Sequence, residues 1–409
     1  MIEIQGNLLH FLFPGIISDI ENLVETYHTN VLPVLLAEDR KRVYADLLRK
    51  KWALNSSDDY KKSVARWLCQ LSRDDISKEL KKHAMMTATA NRPGSTNINF
   101  QRTLRIPDDG KPYDLPPGLG EFPLRHVDDY AHRVPKSWLE RGGVMMPMYQ
   151  AEALWLYFNG SYPFALKIAA GKMNAITGDG WQDGLNRSPQ DYVVTPDQPW
   201  LDGFSVGDGV IRQFVAMPLG SGHSVEEQMT GKAEFGGIQI QAFPMKARHY
   251  FESVIRAKLP KRQADILYHL MPPLHSGVLC SPMRELPDMG LGGGGLMHQE
   301  IYEDPHESDV WDIDQTSRCF IHLCDAVMWR QITGENPPQK PFTAKTYTKA
   351  GLPWFTHYRS DLNVLKGSKK LAEIKSVNTL LLEKEGSELT ENESVEVASV
   401  IACSPNVKA

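Results

Sequence analysis

The hydrophobic positions of the chain change their period near residue 95. Before it, Ile20, Leu23, Val24, Tyr27 and Val31 fall on one helical face, behind a Ser18-Asp19-Ile20-Glu21 capping box. Pro33 separates this stripe from a second one formed by Leu36, Val43, Leu47 and Leu54. Ser56 to Asp59 caps a third, whose apolar face holds Tyr60, Val64, Trp67, Leu68 and Leu71. These stripes predict a helical subdomain over residues 1–90. The small polar stretch Thr87 to Ser95, with Pro93-Gly94 inside it, reads as a linker.

Beyond the linker the period shortens. Phe100 to Ile106 alternates as a strand does, and Asp108-Asp109-Gly110 and Pro116-Pro117-Gly118 are turn signals. The aromatic run Tyr149 to Phe158 is expected to be helical. Strands are predicted at 164–169, 172–176, 192–195, 210–217 and 237–245, with Gly207-Asp208-Gly209 as a hairpin turn. Ile238, Ile240 and Ala242 alternate with Gln239 and Gln241, which predicts a sheet with one buried and one polar face. Helix follows over 247–270, interrupted at Pro260, and then a loop-rich stretch over 271–295. A strand at 318–323 leads into a helix at 325–333, and Thr343 caps a short helix ending near Gly351-Leu352-Pro353. The expected fold class is α+β: a mainly antiparallel sheet domain over 97–377 with the N-terminal helical subdomain. Residues 383–409 hold six Glu against two Lys, so 378–409 is expected to be an acidic, disordered tail.

Composition narrows the function classes. With 409 residues and ordinary apolar content, the chain is long enough for two or three compact units. The net charge of −5 argues against a nucleic acid partner, which calls for a strongly basic domain. The local excess of +5 between Glu38 and Lys82 reads as the wet side of amphipathic helices. Five scattered cysteines (Cys69, Cys280, Cys319, Cys324, Cys403) contain no CxxC pair, and read as reduced, mostly buried thiols of a cytoplasmic protein. Glu3 and Pro14 do not suit a signal peptide. The stretch from Gly142 to Leu166 carries only Glu152 as a charge, but Pro147, Gln150, Asn159, Gly160 and Pro163 break it, so no membrane span is expected.

Three polar groups are candidate sites, each beside a structural reading. Gly220, Ser221 and Gly222 form a glycine-rich turn that can present backbone N–H groups to an anion. With His223 and Ser224, this turn approaches the G-x-S-x-G pattern of a serine nucleophile, although Glu226 stands where the last glycine belongs. Its structural reading is a helix cap, Ser224 with Glu227. His298, Glu300 and His306, with Asp304 and Asp309, follow the run Gly292 to Gly295 and could ligate a metal; their structural reading is a polar loop. His126, Asp128, Asp129 and His132 read as a solvated helix face. Trp200, in the turn Pro199 to Gly203, either lines a pocket or covers a sheet edge. The aromatics at 149–158 and around Trp181, Trp354 and Phe355 are assigned to the core by default.

Four blocks bear a resemblance: Pro147 to Trp155 (PMYQAEALW), Gln198 to Gly203 (QPWLDG), Ile211 to Gly220 (IRQFVAMPLG) and Ala350 to Phe355 (AGLPWF). They are similar to blocks shared by a group of mainly bacterial, uncharacterised proteins. The resemblance implies one structural unit over roughly 97–377 and brings no catalytic residue or cofactor with it. The sequence therefore points to a soluble binding or assembly protein, with a protein or small-molecule partner. The alternative is an enzyme, metal-dependent or hydrolase-like, whose site is built from residues distant in sequence.

Overall fold

The computed structural model describes residues 2–26, 94–160, 162–256, 288–340, 342–397 and 399–403. The second and third predicted helices, most of the linker, the basic stretch 38–82, Cys69, Cys280 and residues 271–287 lie outside them.

Nineteen strands are described: β1 (Ile2–Gln5), β2 (Leu8–Leu12), β3 (Ser95–Thr103), β4 (Pro112–Tyr113), β5 (Gly118–Glu121), β6 (Arg125–His126), β7 (Val144–Pro147), β8 (Ala153–Asn159), β9 (Phe164–Ala170), β10 (Met173–Asn174), β11 (Val193–Thr195), β12 (Trp200–Leu201), β13 (Gly203–Gly207), β14 (Val210–Pro218), β15 (Ile238–Pro244), β16 (Met289–His298), β17 (Ser317–Cys324), β18 (Trp354–Thr356) and β19 (Val400–Ala402). One sheet runs β1-β2-β3-β8-β14-β16-β4, with β5, β12 and β13 paired beside it. A second runs β10-β9-β15-β17-β7-β6, with β11 beside β9. Apolar side chains of both sheets enter one core, which includes Phe11, Phe100, Leu156, Phe204 and Phe214 from the first and Phe164, Ile168, Ile240 and Ile321 from the second.

The expected helical subdomain at the N-terminus is not what forms. Residues 2–12 are a hairpin that extends the first sheet through β2 and β3, and the helix Pro14–Thr26 follows it among the described residues. The reason is local. Ile2 and Ile4 alternate with polar residues, Leu9 and Phe11 are fully buried, and Gly6 takes φ +65° at the first position of a two-residue turn. That geometry suits the twist of a hairpin. The described chain is sheet-rich, with short helices and two sheets of mixed direction: β4 runs parallel to β16, and β7 runs parallel to β17.

Three further segments differ from expectation. Tyr149 to Phe158 is not helical; β8 occupies most of it. Leu154, Leu156 and Phe158 are buried while Trp155 and Tyr157 face outward, which is a period of two hidden in an unbroken apolar run. The 289–295 part of the expected loop is strand β16 in mid-sheet. Its glycines are required by the protein's own packing: a Cβ at Gly292 would lie 2.7 Å from the His223 carbonyl oxygen, and one at Gly294 would lie 2.6 Å from Val215 Cγ2. Finally, β15 is buried on both faces, since Gln239 donates to the Gly171 carbonyl (2.6 Å) and Gln241 to the Thr316 hydroxyl (3.1 Å).

The acidic C-terminal segment is also ordered where it is described. Ser376 caps the helix Val377–Glu385, and Val377, Leu381 and Leu389 pack on Ala153, Val215 and Met217 from β8 and β14. Leu389 N–H donates to Asn378 (2.8 Å), and Asn392 accepts from Asp108 N–H (2.9 Å). The charge count missed the regularly spaced apolar residues that dock this segment. Its last strand, β19, pairs in parallel with β18.

One glycine gives a direct test of the frame around the site. A Cβ at Gly203 would overlap the Arg212 carbonyl oxygen of the paired strand β14. Gly203→Ala is expected to cost about 2 kcal/mol or more in urea unfolding, because the β13–β14 pair must part to admit the methyl group. Gly180, which has open space around it and no positive φ, is the control position for a loop glycine.

Candidate functional site

The three groups singled out in the sequence resolve into structure first. In the Gly220 turn the backbone does hold an anion, and the anion is the chain's own carboxylate. Glu227 Oε1 accepts from Gly220 and Gly222 N–H (2.8 Å each), and its Oε2 accepts from the Ser224 hydroxyl (2.6 Å). Ser224 Oγ in turn accepts from Glu227 N–H (3.2 Å), completing the capping box of the helix Val225–Thr230. Ser224 is buried, and His223 bonds Ser221 (2.9 Å) rather than Ser224, so no nucleophile–base pair forms. Glu226 occupies the place of the missing glycine because its carboxylate latches Phe235 and Gly236 N–H (3.0 and 2.8 Å).

The proposed metal residues do not gather. His298 ends β16 opposite Val210, Glu300 bonds the Tyr302 hydroxyl (3.2 Å), and His306 packs edge-on against Trp311. Asp304, between them, is a buried structural node that accepts from the Tyr192 hydroxyl (2.6 Å) and the Trp311 indole (2.8 Å). Among the described residues no group of three or more His, Cys, Asp or Glu side chains is placed to hold a metal ion. His126, at the end of β6, precedes a single 3-10 turn, Asp128–Tyr130, which has no buried residue.

A buried polar cluster that the sequence did not mark lies around His322. Its ring stacks on Trp138 (4.5 Å) and packs against Phe320 (4.7 Å), and its Nε2 bonds the Gly142 carbonyl (3.0 Å). Asp288 lies 3.7 Å from its Nδ1 and also accepts the Trp138 indole N–H. Burial pushes the imidazole below its ordinary value, which keeps it neutral. The cluster ties the turn after the helix Lys136–Arg141 to β17.

The arrangement best suited to a ligand lies elsewhere. Leu115, Pro116, Pro117, Gly118, Trp155, Trp200, Asp202, Phe355 and Cys403 line a cavity of about 380 Å³. That volume falls in the ~300–1,000 Å³ range of small-molecule sites. Its walls are fixed by backbone hydrogen bonds. Trp155 projects from the outward face of β8, and β12 pairs with the same strand, setting Trp200 opposite Tyr157. Leu115 and Phe355 exchange N–H···O bonds (2.8 and 2.9 Å), joining the proline loop to β18. Cys403 N–H donates to the Thr356 carbonyl (2.7 Å), fastening the last described residue beside the cavity.

The two indoles meet edge to face, with centroids 6.1 Å apart and planes at 69°, so they form a corner and not a stack. His357 packs against Trp200 at 4.8 Å and is held by the Cys403 carbonyl (2.5 Å). The loop that carries Trp200 is clamped to the segment after β16. Gln198 donates to the Trp200 and Glu300 carbonyls (3.0 and 3.2 Å) and accepts from Tyr302 N–H (3.1 Å). The QPWLDG block therefore has a physical meaning: Gln198 clamps, Trp200 and Asp202 face the cavity, and Gly203 permits strand contact.

Asp202 is the one acid of this lining and is almost wholly buried. Its Oδ1 accepts from the Gln299 amide (2.6 Å), and its own N–H donates to Gln299 Oε1 (3.0 Å). The Gln299 amide is the one hydrogen-bond donor to this carboxylate among the described residues, and it takes Oδ1 and not Oδ2. Burial raises the carboxyl to about 7, against a small opposing effect of the Gln299 bond, and no basic side chain offsets the loss of solvation. A buried carboxylate with an unused oxygen, placed among aromatic rings, is an expensive feature for a structure to carry.

No family model, curated protein or solved structure matches the chain. Among the described residues no helix is long and apolar enough to cross a membrane.

Proposed function

We propose that the chain is an intracellular binding protein whose ligand is a small, mainly apolar molecule held in the Trp155–Trp200–Phe355 cavity. The observation that carries this reading is the cavity itself: aromatic and proline walls with one acidic group set into them. That is the usual make-up of a small-molecule site, where apolar walls supply affinity and a few polar groups fix orientation. The buried free thiols Cys319 and Cys324 fit a reducing compartment, and burial pushes Cys319 up to about 12, which leaves it inert.

The test uses p-nitrobenzyl alcohol, a neutral aromatic probe, followed by ligand-detected NMR on the full chain. Saturable binding is expected for the wild type, weakened about tenfold or more in Trp200→Ala, with circular dichroism confirming that the variant is folded. Equal binding by both proteins would place the probe elsewhere and overturn the reading.

A catalytic reading of the same cavity rests on one observation. A carboxyl that titrates near 7 suits a general acid or base. Beside Asp202 the lining offers the Trp155 indole N–H, which has no partner among the described residues, and Cys403, but no base and no nucleophile–base pair. Binding is therefore the preferred conclusion.

A further inference from the structure

Resting on the reading of this cavity as a ligand site, we infer that its ligand is a small organic cation, an alkylated ammonium group seated among Trp155, Trp200 and Phe355 with Asp202 as its counter-charge. Three observations converge on that chemistry.

The first is the shape of the aromatic wall. Two indoles set at 69° present a corner, and Phe355 adds a further ring to the same lining. A flat neutral ring is best served by parallel faces. A roughly spherical alkylammonium group is served by rings approaching from different directions, each offering the negative part of its quadrupole. Tryptophan is the strongest of the aromatic side chains in this respect.

The second is the charge. Asp202 is the single acid of the lining, and Lys, Arg and His are absent from it. Its Oδ1 accepts from Gln299, the one hydrogen-bond donor to the carboxylate among the described residues, which leaves Oδ2 for a ligand. The missing partner of an ionised, buried carboxylate is a positive charge. A ligand cation supplies it and offsets the desolvation cost of the ionised carboxylate.

The third is rigidity. Gln299 grips Asp202 through both its side-chain ends, and Gln198 clamps the Trp200 backbone to the segment 300–302. Acid and aromatic corner are thus positioned before any ligand arrives, which lowers the cost of ordering them on binding. Lys, Arg and His are absent from the lining, so an anionic ligand would meet repulsion from Asp202 with only the Trp155 indole N–H to offset it.

The experiment compares a matched pair of probes on the full chain by ligand-detected NMR at pH 8. N-(4-nitrobenzyl)trimethylammonium carries the cation, and p-nitrobenzyl alcohol is its neutral counterpart. The cation is expected to bind the wild type about tenfold or more tightly than the alcohol, and Asp202→Asn is expected to abolish that preference while leaving the alcohol's affinity within about twofold. Equal affinity of the wild type for both probes, lost in Trp200→Ala, would overturn the charge assignment and leave the cavity reading standing. A cation preference that survives in Asp202→Asn would likewise overturn the role of Asp202. Failure of both probes to bind the wild type would overturn the cavity reading and this inference together.

Discussion

Asp202→Asn is expected to make the unliganded protein more stable at pH 8 and to change it little at pH 4. The carboxyl has a folded-state value of about 7, raised from an ordinary value of 3.8 chiefly by burial. A carboxyl raised on folding binds more protons in the native state than in the unfolded state between those two values. Its contribution to stability therefore falls as pH rises from about 4 to about 7 and stays at its lowest above that. Asparagine keeps the acceptor for the Gln299 amide and removes the charge, so the gain at pH 8 is on the order of 4 kcal/mol. Urea denaturation of both proteins at the two pH values measures it. A variant that is destabilised equally at both would show that Asp202 serves the fold and not a ligand. A residue that costs stability in the free protein and is still held in place by Gln299 has the character of a functional group.

The largest loss is expected at Lys167, a buried cation whose environment is the opposite of that around Asp202. Its ammonium group pairs with Asp191 (2.7 Å) and donates to the Gln182 and Gly184 carbonyls (2.6 and 2.8 Å), with Trp181 beneath it at 5.4 Å. Every donor has a use, and the loop from 182 to 191 closes over β9 around it. Lys167→Ala leaves the Asp191 carboxylate buried without its partner and two carbonyls without a donor. Breaking one side of such a pair costs about 3–5 kcal/mol. Chemical denaturation of the variant against wild type is the measurement, and a change below about 1 kcal/mol would show that water replaces the ammonium group at no cost. Lys167 and Asp202 together show how the fold treats buried charge: it completes the structural one and leaves the other incomplete.

Local chemistry was readable from the sequence because it depends on neighbours a few residues apart. The Ser224–Glu227 capping box, the Thr343 cap and the Gly207–Gly209 hairpin turn all form where their spacing places them. What failed was the assignment of unbroken apolar or glycine-rich runs. Tyr149 to Phe158 carries enough hydrophobic residues to satisfy a helical stripe, and only cross-strand partners in β3 make it a strand. In sequence the four glycines of β16 read as part of a loop-rich stretch, yet each is a place where another segment of the same chain comes close. The N-terminal hairpin was hidden because the apolar stretch from Leu8 to Ile17 was weighed for export and not for pairing.

The cavity was out of reach for a different reason. Its lining comes from residues 115–118, 155, 200–202, 355 and 403, brought together by the pairing of β8 with β12 and of β18 with β19. No spacing rule joins such positions. One signal was present: Trp200 and Asp202 flank a single leucine in a short turn segment, an aromatic and an acid two residues apart, and on an extended chain such a pair faces the same side. Trp200 stands out in the sequence by its place in a turn, as lining a pocket or covering a sheet edge, and not by this spacing. By contrast, the polar clusters at 220–227 and 298–309 drew attention because their residues are close in sequence. The fold uses them as a helix cap and as a hydrogen-bonded node around Asp304.

The central claim is that the Trp155–Trp200–Phe355–Asp202 cavity is where the protein meets its ligand. A crystal of the full chain soaked with a mixed set of small neutral and cationic aromatic fragments tests it most directly. Fragments are expected to concentrate in this cavity, with cationic members placing their charged group on Asp202 Oδ2. Fragments clustered at another surface, with this cavity filled by its own side chains, would contradict it.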